Sequence, residues 1–138
     1  VMIRLQAGPI DTAAVAAAAG GEGDGAVCVF LGTVRNVNGG HRVLFLEYEA
    51  YAGMAEREME RIAAEAVVRF GVTNVAIVHR VGRVDIGEAS VAIAVAAPHR
   101  APAMEACRFV IDTLKASVPI WKREHFEGGA VWVEGAGR

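Results

Sequence analysis

The stretch AVCVFLGTV at residues 26–34 is the segment on which the predicted fold depends. It is rich in β-branched residues, and its apolar side chains fall at positions that face both sides of a sheet, as in a strand buried on both faces. We therefore predict that residues 26–34 form a central strand. The next strand is predicted at Val43–Tyr48, after a turn at residues 36–40. We expect these two strands to pair as an antiparallel hairpin with a long tip.

Two long helices are predicted from apolar residues that recur every three or four positions. The first runs over Ala52–Phe70 and ends before Gly71, because glycine is a common C-terminal stop. Its apolar stripe consists of Ala55, Met59, Ile62, Ala66 and Phe70. The second runs from Pro102, which suits a first helical turn, to about Val118, and Pro119 ends it. Its stripe consists of Met104, Cys107, Ile111, Leu114 and Val118.

The rest of the chain predicts shorter elements. Pro9 opens an alanine-rich helix with Asp11 as its N-cap, and residues 120–126 are predicted as an irregular or short helical segment. The remaining predicted strands are Ile3–Gln6, Val75–Val81, Ser90–Ala97 and Ala130–Glu134, with room for a short strand within 82–88. Strands and helices mix without strict β-α-β alternation, which indicates an α+β fold with two long helices and a mainly antiparallel sheet.

Composition limits the classes of function. A chain of 138 residues fits one domain over residues 1–138, and a hydrophobic fraction of 54% excludes a largely disordered chain. The formal net charge of −2 argues against general nucleic-acid binding, which needs a large cationic surface. No apolar run approaches the roughly 20 residues of a membrane-spanning helix. We therefore expect a cytoplasmic protein that binds neither nucleic acid nor membranes.

The cysteines and the missing motifs narrow the chemistry further. Cys28 lies in the middle of a predicted strand and Cys107 on a helical apolar stripe, so both are interpreted as core residues and poor nucleophiles. No His, Cys, Asp or Glu cluster has metal-ligand spacing, and no glycine-rich loop matches a nucleotide fingerprint. We expect no metal ion and no cofactor.

Arginine and histidine residues form three candidate polar sites. Arg35 ends the segment Thr33-Val34-Arg35 directly after a firmly placed strand, where it could clamp a phosphate or carboxylate or simply be a strand-end arginine. His99-Arg100 precedes a helix, where backbone N–H groups favour anions, although a solvated charge pair explains it equally well. His79-Arg80, late in a predicted strand, is interpreted as structural.

The chain contains only two lysines, Lys115 and Lys122. Lys115 lies at the border of a helical apolar stripe, where a lysine either extends over apolar surface into water or lines a pocket that lowers its pKa. Lys122 follows Pro119 and Trp121, which hold it close to the end of the same helix. The two amines could therefore face one cavity, although a solvent-exposed role remains open for each.

Several segments, in order along the chain, resemble the large, catalytic subunit of molybdopterin synthase. The resemblance covers about Gly25 to Val133. Its motifs are Phe30-Leu31-Gly32-Thr33-Val34-Arg35, Leu46-Glu47-Tyr48-Glu49-Ala50-Tyr51 with Met54-Ala55, Val78-His79-Arg80-Val81-Gly82 with Gly87-Glu88, His99-Arg100, Asp112-Thr113-Leu114-Lys115, and Val118-Pro119-Ile120-Trp121-Lys122-Arg123-Glu124. Each motif is weak alone, but their shared order is a specific signal.

The resemblance implies an α/β-hammerhead type of fold and a homodimer that binds two small ubiquitin-like sulfur-carrier subunits, giving a heterotetramer. The carrier's C-terminal Gly-Gly thiocarboxylate would enter a pocket and supply two sulfur atoms to cyclic pyranopterin monophosphate, forming the dithiolene of molybdopterin. The implied catalytic residues are Lys115 and Lys122. The implied substrate contacts are Thr33, Val34, Arg35, His99, Arg100, Lys115, Lys122, Arg123 and Glu124.

The implied chemistry agrees with the residue types. Arg35, His99, Arg100 and Arg123 suit a phosphate-bearing anion, and a carrier thiocarboxylate removes the need for a cysteine nucleophile. Two alternatives remain open. One is a module that only captures a ubiquitin-like partner, and the other is an enzyme of another class with His99 as general base on a phosphorylated metabolite.

Overall fold

The computed structural model describes residues 1–133 as two sheets and three helices. In chain order the elements are β1 (Met2–Gln6), α1 (Thr12–Ala19), β2 (Ala26–Thr33), β3 (Val37–Asn38), β4 (His41–Ala50), α2 (Met54–Phe70), β5 (Asn74–Arg80), β6 (Gly82–Asp85), β7 (Ala89–Ala97), α3 (Arg100–Ser117), β8 (Ile120–Phe126) and β9 (Gly129–Val133). Parallel pairing is confined, within these residues, to β1 and β5. The predicted α+β class with a mainly antiparallel sheet is confirmed.

The first sheet has the strand order β1-β5-β7-β2, and its two faces are covered by different helices. Alternate side chains of a strand point to opposite faces. One face presents larger residues such as Ile77 and Ile93 to α2 and α3. The other presents Ala92, Ala94 and Ala96 to α1. The alanine-rich helix can pack closely there because the side chains on both sides are small.

The second sheet has the order β3-β4-β8-β9, with β6 also paired to β4. β3 and β4 form a tight hairpin whose two turn residues, Gly39 and Gly40, have φ values of +58° and +81°. Residues with a side chain rarely adopt such positive φ values, whereas glycine adopts them freely. The predicted turn at residues 36–40 therefore contains a two-residue strand.

The prediction that residues 26–34 form a central strand is wrong. β2 is an edge strand that pairs with β7, and its side chains alternate between half-buried and exposed. Val27, Val29 and Leu31 are 43%, 41% and 40% exposed. The predicted hairpin with residues 43–48 is also wrong, because β4 belongs to the second sheet. Apolar residues on both faces do not distinguish a central strand from an edge strand with an uncovered apolar face.

The prediction for residues 120–126 is also wrong, because this segment is β8, paired between β4 and β9. Ile120, Lys122 and Glu124 are its buried positions, so its period-two pattern buries charged residues and is invisible to a hydrophobicity pattern. The final strand agrees with the prediction up to Val133, and Glu134 lies outside the described residues.

The predicted helix boundaries and caps agree closely with the structure. Asp11 accepts a hydrogen bond from the backbone N–H of Ala14, and Gly71 ends α2 in the left-handed conformation. One stripe position is wrong, because Met104 is 60% exposed and Ala103 and Ala106 face the core instead. Among residues 1–133, no helix combines the length and apolar character needed to cross a membrane.

Candidate active site

A cavity of about 300 Å³ lies where the end of β2, the last turns of α3 and strand β8 come together. This volume is at the lower end of the range for small-molecule sites. Six of the residues implied by the family resemblance line it, and they come from three separate parts of the chain. These six are Thr33, Val34, Arg35, Lys115, Lys122 and Glu124.

The two lysines open onto this one cavity. Lys115 is exposed in the last turn of α3, and Lys122 is 7% exposed on β8. Pro119 separates the helix from the strand, and β8 then runs antiparallel to β4 with Lys122 opposite Tyr48. Because alternate residues of a strand share a face, Lys122 and Glu124 both point to the cavity side.

Burial, together with the charges around it, shifts the pKa of Lys122. Burial lowers the pKa of Lys122, and the neighbouring cations Lys115 and Arg35 lower it further, whereas Glu124 opposes the shift. Asn38 donates a 2.6 Å hydrogen bond from Nδ2 to Oε2 of Glu124, which fixes this carboxylate. The cavity therefore holds three cations and one anchored carboxylate, an arrangement that attracts an anionic ligand and places an amine that can exchange a proton.

Three further polar residues line the cavity, and the sequence analysis did not assign them to the site. His79, Tyr48 and Ser90 are all buried there. Burial lowers the pKa of His79 to about 4, so its ring is neutral near pH 7. Its Nδ1–H donates a 2.7 Å hydrogen bond to the backbone oxygen of Arg80, because a carbonyl can only accept. Ser90 Oγ donates to the backbone oxygen of Gly32 at 3.1 Å.

Burial also affects the protonation of Tyr48. It raises the pKa of the Tyr48 phenol, and the Tyr48 ring meets the His79 ring edge-on at 5.1 Å between centroids. The alternation of side chains along β5 could have indicated that His79 is buried, because Val75 and Ile77 face the same side of the strand and belong to the core. No comparable local pattern indicated Ser90.

Three residues implied by the resemblance lie outside this cavity in the single chain. His99 occupies the N-cap position of α3 without a side-chain capping hydrogen bond, 16 residues before Lys115, which is about 24 Å along an α-helix. Arg100 is exposed beside it. Arg123 points to the opposite face of β8 from Lys122, and its guanidinium lies over the Trp132 ring at 5.6 Å.

The cysteines lie apart from the cavity. Cys107 is 4% exposed, and burial raises its pKa to about 12, so the thiolate that a nucleophile requires is scarce near pH 7. Cys28 is half-buried and packs against the same core. No group of three or more His, Cys, Asp or Glu side chains in residues 1–133 is placed to hold a metal ion.

Comparison with known proteins finds close similarity over most of the chain. The family model described as MoaE protein matches residues 5–117. The molybdopterin synthase catalytic subunit of Halalkalibacterium halodurans is 49% identical over 109 residues, which cover 79% of this chain and 70% of that protein. The protein of the same name from Homo sapiens is 47% identical over 108 residues, which cover 78% of this chain and 57% of that protein.

Solved structures give the same result. The crystal structure of molybdopterin synthase from Staphylococcus aureus superposes with a TM-score of 0.92 at 39% identity, covering 95% of this chain and 96% of that chain. A complex of subunits 1 and 2 of the molybdopterin-converting factor from Helicobacter pylori superposes with a TM-score of 0.77 at 25% identity, covering 95% and 89% of the two chains. This chain therefore belongs to the MoaE protein family, the family of molybdopterin synthase catalytic subunits.

Proposed function

We propose that this chain is the catalytic subunit of a molybdopterin synthase and acts as a sulfurtransferase. It takes sulfur from the C-terminal thiocarboxylate of a small ubiquitin-like carrier subunit. It transfers two sulfur atoms to cyclic pyranopterin monophosphate, and the product carries the dithiolene of molybdopterin. The chain acts as one domain.

One observation carries this proposal: Lys115, Lys122 and Arg35 converge on one cavity although they lie on separate elements. The substrate is an anion with a cyclic phosphate, and a guanidinium such as that of Arg35 binds phosphate through paired hydrogen bonds. A thiocarboxylate is also anionic near neutral pH. A cavity with three cations therefore suits both reactants.

The two lysines take different roles in the proposal. Lys115 stabilises the negative charge that develops on the thiocarboxylate carbonyl and on substrate oxygens. Lys122 orients the substrate and moves a proton during ring opening and loss of oxygen, a role favoured by its lowered pKa. The carrier supplies the attacking sulfur, so the chemistry needs neither Cys28 nor Cys107.

The assembly in the proposal contains two copies of this chain and two carrier subunits. The Helicobacter pylori complex of two different subunits supports a small partner. The edge strand β2 supports a second copy, because the unpaired edge and exposed apolar face of such a strand are commonly covered by another chain. His99, Arg100 and Arg123 stay predicted substrate contacts. Since they lie outside the cavity of one chain, their role is to be tested in the assembled complex.

The decisive experiment measures product formation from cyclic pyranopterin monophosphate with a thiocarboxylated carrier. The matched control is the same carrier with an ordinary C-terminal carboxylate, which should give no product. A module that only captures the carrier would bind it without affinity for the pterin. An enzyme of another class, with His99 as general base, would act on a phosphorylated metabolite without any carrier. Either result would contradict the proposal.

A further inference from the structure

Arg80 is a buried cation outside the proposed chemistry. It is 5% exposed at the end of β5, and its Nη2 donates to the backbone oxygen of Arg83 at 2.9 Å and, more weakly, to that of Ala7 at 3.4 Å. Its Nη1 lies 3.3 Å from Oε1 of Glu88. Glu88 is its carboxylate partner among the described residues. A charge this deeply buried requires such a partner.

The same carboxylate closes the turn that follows β6. Oε1 of Glu88 accepts a 2.9 Å hydrogen bond from the backbone N–H of Asp85, and the Glu88 N–H donates to the Asp85 carbonyl at 3.0 Å. Gly87, inside the turn, has a φ of +84°, which a residue with a side chain adopts only with strain. The Glu88 carboxylate therefore connects this turn to the buried Arg80 side chain.

This turn is joined by two backbone hydrogen bonds to the residue that precedes Arg35. The Gly87 N–H donates to the Val34 carbonyl at 2.8 Å, and the Val34 N–H donates to the Glu88 carbonyl at 3.0 Å. The pairing of β2 with β7 shifts register between Gly32 and Thr33, directly before this point. The hydrogen bonds to this turn, more than the pairing with β7, therefore hold the Val34 backbone and position Arg35 at the cavity.

We propose that Arg80 and Glu88 are positioning residues for Arg35, acting through the Asp85–Glu88 turn and the backbone of Val34. The proposal rests on the proposed function, in which Arg35 binds the phosphate of the substrate. Neither residue lines the cavity of the candidate site, and both line a separate pocket beside Gly87. The effect of the pair is therefore on substrate affinity through the placement of one guanidinium.

The test measures KM and kcat for cyclic pyranopterin monophosphate in the reconstituted complex with thiocarboxylated carrier. Glu88→Gln should raise KM by about 10-fold with a smaller change in kcat, because a misplaced clamp weakens binding of the reactant. Arg35→Ala should raise KM as well. In the Arg35→Ala background, Glu88→Gln should add nothing further, because two residues that act through one contact are not additive.

Two controls separate positioning from general damage. Asp85→Asn removes an exposed carboxylate from the same turn, one that pairs with Arg83 at 2.8 Å, and should leave KM unchanged. Gly87→Ala strains the turn without altering any charge and should reproduce the KM effect of Glu88→Gln. It therefore keeps the test usable if the loss of the carboxylate prevents folding.

A second measurement does not depend on the reaction. Hydrogen exchange of the Val34 amide, followed by NMR, should accelerate in Glu88→Gln and in Gly87→Ala but not in Asp85→Asn. An unchanged KM and unchanged exchange in both turn variants would overturn the positioning role, as would additive effects in the Arg35→Ala background. If the wild-type complex forms no product, the proposed function fails, and the exchange measurement still decides whether the pair holds Val34.

Discussion

Replacement of Lys115 by alanine separates the chemistry of the cavity from the stability of the fold. The side chain is exposed in the last turn of α3, while the neighbouring Leu114 is 1% exposed and carries the packing. The substitution should lower the free energy of unfolding by about 0.3–1 kcal/mol, because it removes one cation that stabilises the C-terminus of a helix. A domain of this size tolerates that loss, so the Lys115→Ala protein should be folded at 25 °C.

The effect on turnover should be much larger. If Lys115 stabilises developing negative charge inside the cavity, its removal should lower kcat by about 10²–10³-fold, the usual cost of deleting one preorganised charge-stabilising group. That factor corresponds to about 2.7–4 kcal/mol of transition-state free energy. We therefore expect the Lys115 charge to contribute to the reaction and to contribute little to the stability of the folded state.

The assay is single-turnover conversion of cyclic pyranopterin monophosphate with excess thiocarboxylated carrier, alongside calorimetric measurement of carrier binding. Carrier affinity should stay close to that of the wild type. Arg108→Ala is the matched control, because Arg108 is an exposed cation two turns earlier on the same helix, and its carboxylate partner among residues 1–133 is Asp112 at 3.4 Å. Near-normal sulfur transfer by Lys115→Ala would refute the assigned role. An equal loss of sulfur transfer in Arg108→Ala would show that the effect comes from the overall charge of the helix and not from Lys115 in the cavity.

Three further measurements test the site and the fold. The first labels lysine with ¹³C and assigns its two signals by mutation, and the Lys122 amine should lose its proton at a lower pH than an ordinary lysine. Glu124→Gln should lower that pH further, because it removes the negative charge that opposes the shift. A Lys122 amine that titrates like an ordinary lysine would contradict the lowered pKa. Ile93→Ala should cost about 2–5 kcal/mol in denaturant unfolding, because the side chain is fully buried, whereas Val68→Ala, 86% exposed, should change stability by less than about 0.5 kcal/mol. Asp11→Ala should cost about 1 kcal/mol through loss of the α1 cap, and an unchanged midpoint would show that the cap is dispensable.

Most elements of the fold could be predicted from local sequence. The apolar stripes, the cap at Asp11 and the stop at Gly71 are governed by neighbouring residues, so helix positions were recognisable within a few residues. The same holds for strands β5 and β7, whose apolar runs are long and β-branched. Six of the residues implied by the family resemblance also lie together in the cavity.

Strand pairing could not be predicted in the same way. The apolar pattern of residues 26–34 predicts a central strand, yet β2 lies at an edge, because the neighbours of a strand depend on segments that are distant in the chain. The sequence predicts an irregular or short helical segment at residues 120–126, and it does not reveal a strand because the buried positions include Lys122 and Glu124. Its pairing with β4 and β9 shows that this segment is a strand and that Arg123 faces away from Lys122 and Glu124.

Local sequence is sufficient to predict where the helices and most strands form and which residue types could bind an anion, since these depend on short-range periodicity and on side-chain chemistry. Only the packing of distant segments shows that Lys115, Lys122 and Arg35 converge and that Tyr48, His79 and Ser90 complete the cavity. The physical reason is that a cavity is assembled from residues distant in the chain. Its members are selected by how two sheets and a helix pack, and no local pattern records that packing.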